Sequence, residues 1–369
     1  MKPIVPQQLP ILNVRWETHV PLIGKANRGL AHYDGILYGI ANPELLLSPL
    51  TTQEAVLSSR IEGTQATLGE VLKFQAGEEI PEESKRQDIQ EIINYRQALR
   101  TAEKALRKRP FNLNLLLELH AVLLNSVRGR DKNRGFFRRT QNWIGSPGTP
   151  IEQATFVPPD PMFLQQHLDN WEKYYHAEER DSLVQLAVVH AQFEIIHPFL
   201  DGNGRLGRIL IPLFLYEKQL LSRPMFYLST YLEAHRGEYI SRLREITSSG
   251  DWNGWIAFFL HALVEQAEAN AKTARATIQL YERLKDEVMK LTRSQYAVPL
   301  LDQLFSQPVF QSTHLAEQKG MPSKPMVMQM LGRLRRVGIL KVVREGSGRR
   351  AQVLALAELV NLCEGKKVI

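Results

Sequence analysis

The run His197-Pro-Phe-Leu-Asp-Gly-Asn-Gly-Arg-Leu-Gly-Arg208 brings together a proton acceptor, a carboxylate, a glycine-flanked turn and two guanidiniums. Its surroundings place it. Leu183, Leu186, Ala187 and Val188 recur at helical spacing before it, and a second apolar stretch runs from Ile209 to Tyr216 after it. This pattern predicts a loop between two buried helices.

Each part has a physical job. Gly202 and Gly204 lack a Cβ, so the chain can turn sharply and bring N–H groups close to an anion, with Asn203 tolerating a left-handed conformation. The turn is predicted to open a helix at about Arg205, whose first N–H groups and positive dipole end make a phosphate site. Arg205 and Arg208 are three apart and share a face, where two planar forks can hold two phosphates. Asp201 precedes the turn, positioned to hold a divalent cation against the same phosphates; Mg²⁺ suits it because it prefers one or two carboxylates plus phosphate oxygens and water. His197, with an ordinary pKa near ~6.5, can accept a proton from an attacking hydroxyl. A His-Pro pair or a Gly-x-Gly alone is most often a plain turn; the joint pattern is what points to a nucleoside triphosphate.

The string His-x-Phe-x-Asp-Gly-Asn-Gly-Arg-x-x-Arg resembles the full signature of the Fic (filamentation induced by cAMP) family. Members mostly transfer AMP from ATP to a hydroxyl side chain of a target protein. The resemblance implies ATP and Mg²⁺, with His197 as general base, Asp201 as metal ligand and the Gly202, Asn203, Gly204 turn as anion hole. It implies Arg205 toward the β-phosphate and Arg208 toward the γ-phosphate, with Leu206 and Gly207 in the same nucleotide-binding stretch and Phe199 as a core anchor.

Upstream, Thr51 or Thr52 could cap a helix that includes Ala55, Val56 and Ile61 and stops at Gly63. Glu62 then falls in the last turn, where the helix dipole disfavours a carboxylate, so it faces either water or a cation. The run Ser58-Ser-Arg-Ile-Glu62-Gly63 resembles the family's inhibitory motif, Ser/Thr-x-x-x-Glu-Gly/Asn. That resemblance implies a Glu62 pair with Arg208 that blocks the productive γ-phosphate position, in an N-terminally self-inhibited member.

Between these segments, Gly135 to Gly145 and Ile151 to Pro159 flank the Pro/Gly turn Ser146 to Pro150, which reads as a hairpin. It resembles the Fic flap that aligns a target backbone, with Ala154, Thr155 and Phe156 as its edge; an ordinary surface hairpin has the same pattern. Past the signature, Tyr227 and Tyr231 precede Arg236-Gly-Glu-Tyr239. Tyr239 is the candidate adenine contact, or a core tyrosine, and Ile240 follows where many relatives carry a second aromatic.

Composition frames the rest. With 369 residues, 44% hydrophobic and 23% charged, the chain has ample core for two or three units. Without an apolar leader or a membrane-length run, a cytoplasmic address with no membrane partner is expected. The single cysteine, Cys363, forbids an intrachain disulfide and reads as structural. From Leu291 onward there are 12 Lys/Arg and 5 Asp/Glu, which equals the whole-chain net charge of +7 and leaves residues 1–290 neutral. That basic end reads as a winged helix-turn-helix: helices near Tyr296 to Phe305, Gln311 to Gln318 and Ser323 to Val337, then strands Ile339 to Arg344 and Arg349 to Leu356 around a turn at Glu345 to Gly348. Arg333, Arg335, Arg336, Arg349 and Arg350 would contact DNA phosphates; a protein-contact role for the same unit stays open.

The expectation is a mostly α protein: a Fic-type helical core with a β-hairpin flap, plus the C-terminal winged helix. Its segments are 1–80 with the inhibitory helix, 81–265 catalytic core, 266–290 helical linker within a long helix from Trp252 to Lys290, and 291–369. The partners expected are a target protein with a hydroxyl side chain, the chain itself by automodification, DNA, and a second copy in a homodimer. Two alternatives are net AMP removal, with Glu62 orienting a water, and a nucleotide-sensing DNA-binding regulator. Phosphotransferase relatives resembling Doc lack the second motif glycine, whereas Gly204 favours AMP transfer.

Overall fold

The computed structural model describes residues 2–125, 132–145, 148, 150–347 and 350–369. The chain is mostly helical and forms two compact units. One comprises Met1–Asp34, Leu57–Gly63 and Asn94–Glu268; the other comprises Gly35–Val56, Thr64–Ile93 and Ala269–Ile369. Helices Trp16–Tyr38, Ser48–Ile61, Glu83–Leu106 and Trp252–Thr292 contribute residues to both. The boundaries at 80, 265 and 290 therefore mark segments of sequence, while the compact bodies are discontinuous. Among the described residues no helix is long and apolar enough to cross a membrane.

The first unit is built around the helix Ser182–Ile196, of which 13 of 15 residues are buried. A helix buried on nearly all sides has to be central. Asp181 starts it, accepting hydrogen bonds from the N–H groups of Leu183 and Val184 at 2.9 and 3.1 Å. The buried indoles of Trp171 and Trp255 donate to its Val189 and Ala187 carbonyls at 2.9 and 2.8 Å. Pro198 cannot continue the helix, which closes on His197 in the left-handed region at φ 49°. The chain re-enters a helix at Asn203–Glu217, preceded by Gly202 at φ 81°. The expected loop between two buried helices is therefore present, but the second helix opens two residues before Arg205.

Three local expectations change. Thr51 and Thr52 are not caps: the helix begins at Ser48, and their hydroxyls donate back to the Leu47 and Ser48 carbonyls at 3.4 and 3.1 Å. Asn203 is helical, and the left-handed residue is Gly202. The flap hairpin reduces, among the described residues, to one bridge between Ile144 and Phe156. Pro150, Pro158 and Pro159 carry no N–H for a ladder, and Ile151–Gln153 winds into a 3₁₀ turn. Residues 146, 147 and 149 of its turn lie outside the described residues.

In the second unit, helix Ala297–Ser306 leads into a small antiparallel sheet whose first strand comes before helices Ser312–Ala316 and Lys324–Arg336 and whose other two strands follow them. Its strands β1 (Val309–Gln311), β2 (Lys341–Arg344) and β3 (Val353–Ala355) lie in the order β1-β3-β2, with Phe310 and Val342 both opposite Leu354. Every residue of β3 is buried, as a central strand requires. Strand β1 and the closing helix Ala357–Glu364 extend the expected pattern. Cys363 is buried in that helix, and burial pushes its thiol up to about 12, in keeping with a structural role. Arg333 is not offered to a phosphate: it donates to the Leu291 and Thr292 carbonyls at 3.1 and 2.8 Å, capping the long helix. Arg349 and Gly348 lie outside the described residues.

Replacing Asp181 by Ala removes the N-cap of the central helix and should lower stability to urea by about 1 kcal/mol. An unchanged midpoint would show that the helix start depends on other contacts.

Candidate active site

His197 is held from three directions. Its left-handed backbone is fixed by the buried Arg138, whose Nε donates to the His197 carbonyl at 2.9 Å and whose Nη2 donates to Pro159 O at 2.6 Å. The Arg138 N–H adds a bond to Pro198 O at 2.9 Å. The imidazole Nδ1 lies 3.3 Å from Glu194 O. A carbonyl only accepts, so Nδ1 carries the proton and Nε2 is left as the acceptor. Burial pushes the imidazole down to about 4, so His197 is neutral at neutral pH and ready to take a proton.

The loop after it is pinned by side chains. Asn203 Oδ1 accepts from Phe199 N at 2.9 Å while its Nδ2 donates to Phe199 O at 2.8 Å, closing the turn on itself. Phe199 is fully buried and stacks on His120 at 3.8 Å between centroids, which supports the anchor role. His120 accepts from Gly135 N through Nδ1 at 2.9 Å and donates from Nε2 to Asp201 O at 3.1 Å. Asp201 Oδ1 receives Gly202 N at 2.6 Å and Arg205 Nη2 at 3.2 Å, while its side chain is 40% exposed. A single accessible carboxylate suits a cation that takes its other ligands from phosphate and water, so Asp201 fits Mg²⁺. Among the described residues no group of three or more His, Cys, Asp or Glu forms a self-sufficient metal cage.

Arg208 is the centre of charge. Its Nε donates to Ser58 Oγ at 2.8 Å, and its Nη2 donates to Ser58 O at 2.9 Å and to Glu62 Oε1 at 2.6 Å. The Arg208 side chain is 1% exposed and that of Glu62 41%, so the pair is sealed on the cation side and open on the carboxylate side. Partial burial opposes ionisation of Glu62, but the Arg208 charge and hydrogen bond, with help from Arg205, outweigh it and hold the carboxyl below its usual range. Glu62 lies against Gly204 so closely that a Cβ there would collide with Oε1. Gly63, at φ 102°, turns the chain away after Glu62, and Arg236 Nε donates to Ile61 O at 3.0 Å at the end of the same helix.

A cavity of about 430 Å³ collects Glu62, Glu194, His197, Gly204, Arg208 and Tyr239 on its wall. Tyr239 is 4% exposed, and its hydroxyl lies 3.0 Å from His190 Nε2, whose Nδ1 lies 3.1 Å from Gly207 O. This tyrosine is anchored as a core residue while bordering the cavity. Leu206 is fully buried, and Gly207 packs against Glu194, so these two face the interior. Sequence reasoning missed Arg138, His120 and Glu194. Arg138 lay inside the stretch read as flap, and His120 was one polar residue in a leucine-rich helix; only a spatial neighbour gives either a meaning.

Family comparison accounts for this arrangement. A model described as Fic/DOC family N-terminal matches residues 20–104, and one described as Fic/DOC family matches residues 110–215. The chain belongs to the Fic/DOC family. This Fic chain is 28% identical over 209 residues to a protein of Aquifex aeolicus named "Probable protein adenylyltransferase", covering 55% of this chain and 57% of that one. It is 27% identical over 220 residues to the protein adenylyltransferase Fic of Drosophila grimshawi, covering 58% and 40%. The match thus spans about half the length of these relatives. In structure, the Fic chain resembles a Fic family protein from Desulfovibrio desulfuricans with a TM-score of 0.60 and 19% identity, over 95% of this chain and 98% of that one. A Fic fragment from Caenorhabditis elegans gives 0.54 and 21%, over 72% and 75%.

Titration of the histidines by NMR should place His197 at about 4. A midpoint at the ordinary value of 6.5 would contradict its burial and its proton assignment.

Proposed function

We propose that this Fic protein is a protein adenylyltransferase that moves AMP from ATP to a Tyr, Thr or Ser hydroxyl of a target protein, and that it is self-inhibited through Glu62. The observation that carries this reading is the Glu62–Arg208 ion pair at 2.6 Å on the wall of the cavity that also holds His197. His197 Nε2 takes the proton of the target hydroxyl as its oxygen forms a bond to the α-phosphorus. The bond from that phosphorus to the bridging oxygen breaks and pyrophosphate leaves. The N–H groups of Asn203 and Gly204, with Arg205 and Arg208, stabilise the charge that develops, usually the largest single catalytic contribution, whereas the expected third donor, Gly202 N–H, is taken by Asp201 Oδ1. Mg²⁺ held by Asp201 would neutralise phosphate charge.

With Glu62 on Arg208, the γ-phosphate has no free fork to meet, and ATP binds out of line. A charge-assisted hydrogen bond contributes roughly 1.5–3 kcal/mol, and the lower end applies where one partner is open to water. That is about a tenfold bias, strong enough to repress and weak enough to reverse. The same exposed carboxylate supports a second reading, in which Glu62 orients a water for AMP removal. For the basic end of the chain, the helix Lys324–Arg336 followed by paired strands supports a winged helix. Arg335, Arg336 and Arg350 are exposed there and are the candidates for phosphate contacts.

Glu62→Gly should raise AMP transfer from labelled ATP by tenfold or more, and adding Arg208→Ala should remove most of that gain. Transfer at the wild-type level in Glu62→Gly, on several targets and in automodification, would end the self-inhibition reading. His197→Ala should abolish transfer and keep ATP binding; undiminished transfer would remove the general-base role. The full-length protein should bind duplex DNA with an affinity that falls as salt rises, and Arg335→Ala with Arg336→Ala should lower the salt slope by about 2. Binding that ignores salt would favour a protein-contact role.

A further inference from the structure

One carboxyl on the cavity wall has no part in the chemistry described so far. Glu194 sits on the central helix three residues before His197 and borders the cavity together with Glu62 and Arg208. Its Oε1 is sealed from solvent and has no hydrogen-bond partner, lying where a Cβ on Gly207 would collide with it. A carboxylate with one oxygen sealed and unpaired is costly as an anion, and the neighbouring Glu62 carboxylate adds to that cost. A neutral carboxyl, by contrast, turns an acceptor into a donor.

Resting on the adenylyltransferase reading, we infer that Glu194 is a nucleotide-positioning residue: kept protonated, it donates a hydrogen bond from its cavity side to a phosphate oxygen of bound ATP. The phosphates would otherwise face an anion on this wall. Its ionisation is the one that matters near neutral pH. Burial pushes Glu194 up to about 8, with Glu62 adding to the rise and Arg208 opposing it. Of the other groups facing it, His190 and His197 are pushed down by burial to about 3 and about 4. Burial holds Tyr239 well above the usual phenol range, Glu62 lies below the usual carboxylate range and Arg208 above the usual guanidinium range, and Arg236 and Arg244 also line the cavity.

The sign follows from linkage. ATP adds negative charge and favours the protonated carboxyl, so binding should weaken as pH rises through the value in the free protein. The test is the dissociation constant of Mg²⁺-ATP for the full-length protein across neutral to alkaline pH, in the wild type, Glu194→Gln and Glu194→Ala. The wild type should lose affinity about tenfold per pH unit above about 8. Glu194→Gln keeps a donor and cannot ionise, so it should bind as the wild type does at neutral pH and lose the alkaline fall. Glu194→Ala should bind several-fold more weakly and without that fall. The glutamine variant is isosteric and shares the titration of ATP itself, so it separates folding defects and ligand ionisation from the effect sought. A wild-type profile that matches Glu194→Gln at every pH, or full affinity in Glu194→Ala, overturns the Glu194 role while leaving the enzyme reading intact. Failure of all three proteins to bind ATP overturns both.

Discussion

One buried guanidinium organises the site. Arg208 is fixed by Ser58 through both the hydroxyl and the carbonyl, and its Nη2 also donates to the carboxylate of Glu62. An arginine with a 1% exposed side chain cannot be left unpaired without a large cost, so something anionic must always sit there. In the function proposed above, Glu62 and a phosphate are alternative occupants of that place, and the unequal exposure of the two partners supports it: the exposed carboxylate can leave while the buried guanidinium stays aligned.

The rest of the site follows from holding that fork and His197 in one frame. Arg208 lies on the helix that Gly202 starts, and His197 terminates the helix that Asp181 starts. Between them, six residues turn back on themselves through the Asn203 side chain and the Phe199–His120 stack. The left-handed backbone at His197 is unfavourable for a residue with a Cβ and is held by Arg138 from outside the signature. The signature thus holds the candidate reagents, and buried polar residues 59 and 81 positions away fix their orientation.

Much of this was legible beforehand because the signature binds residue type to role at fixed spacing. His197, Asp201, Arg208 and the pairing of Glu62 could be named from the chain, as could the long helix from Trp252 and the helix–strand order of the basic end. Misreadings arose where local propensity has several outcomes. Thr51 and Thr52 look like caps in any sequence, yet inside a helix a threonine hydroxyl simply bonds back one turn. The flap pattern of glycine and proline signals a turn but not a ladder, because the same prolines that make the turn remove strand donors. Glu194, His120 and Arg138 carry no local signal at all. Their roles come from what lies across space, and a charged residue on an apolar helix face is ambiguous until its neighbours are known.

The central claim is that Glu62 and the terminal phosphate compete for Arg208. Comparing the affinities of ATP and ADP isolates that phosphate, since the two ligands differ only by it. The account predicts nearly equal affinities in the wild type, a clear preference for ATP once Glu62 is replaced by Gly, and loss of that preference when Arg208→Ala is added. An ATP preference as large in the wild type as in Glu62→Gly would contradict it.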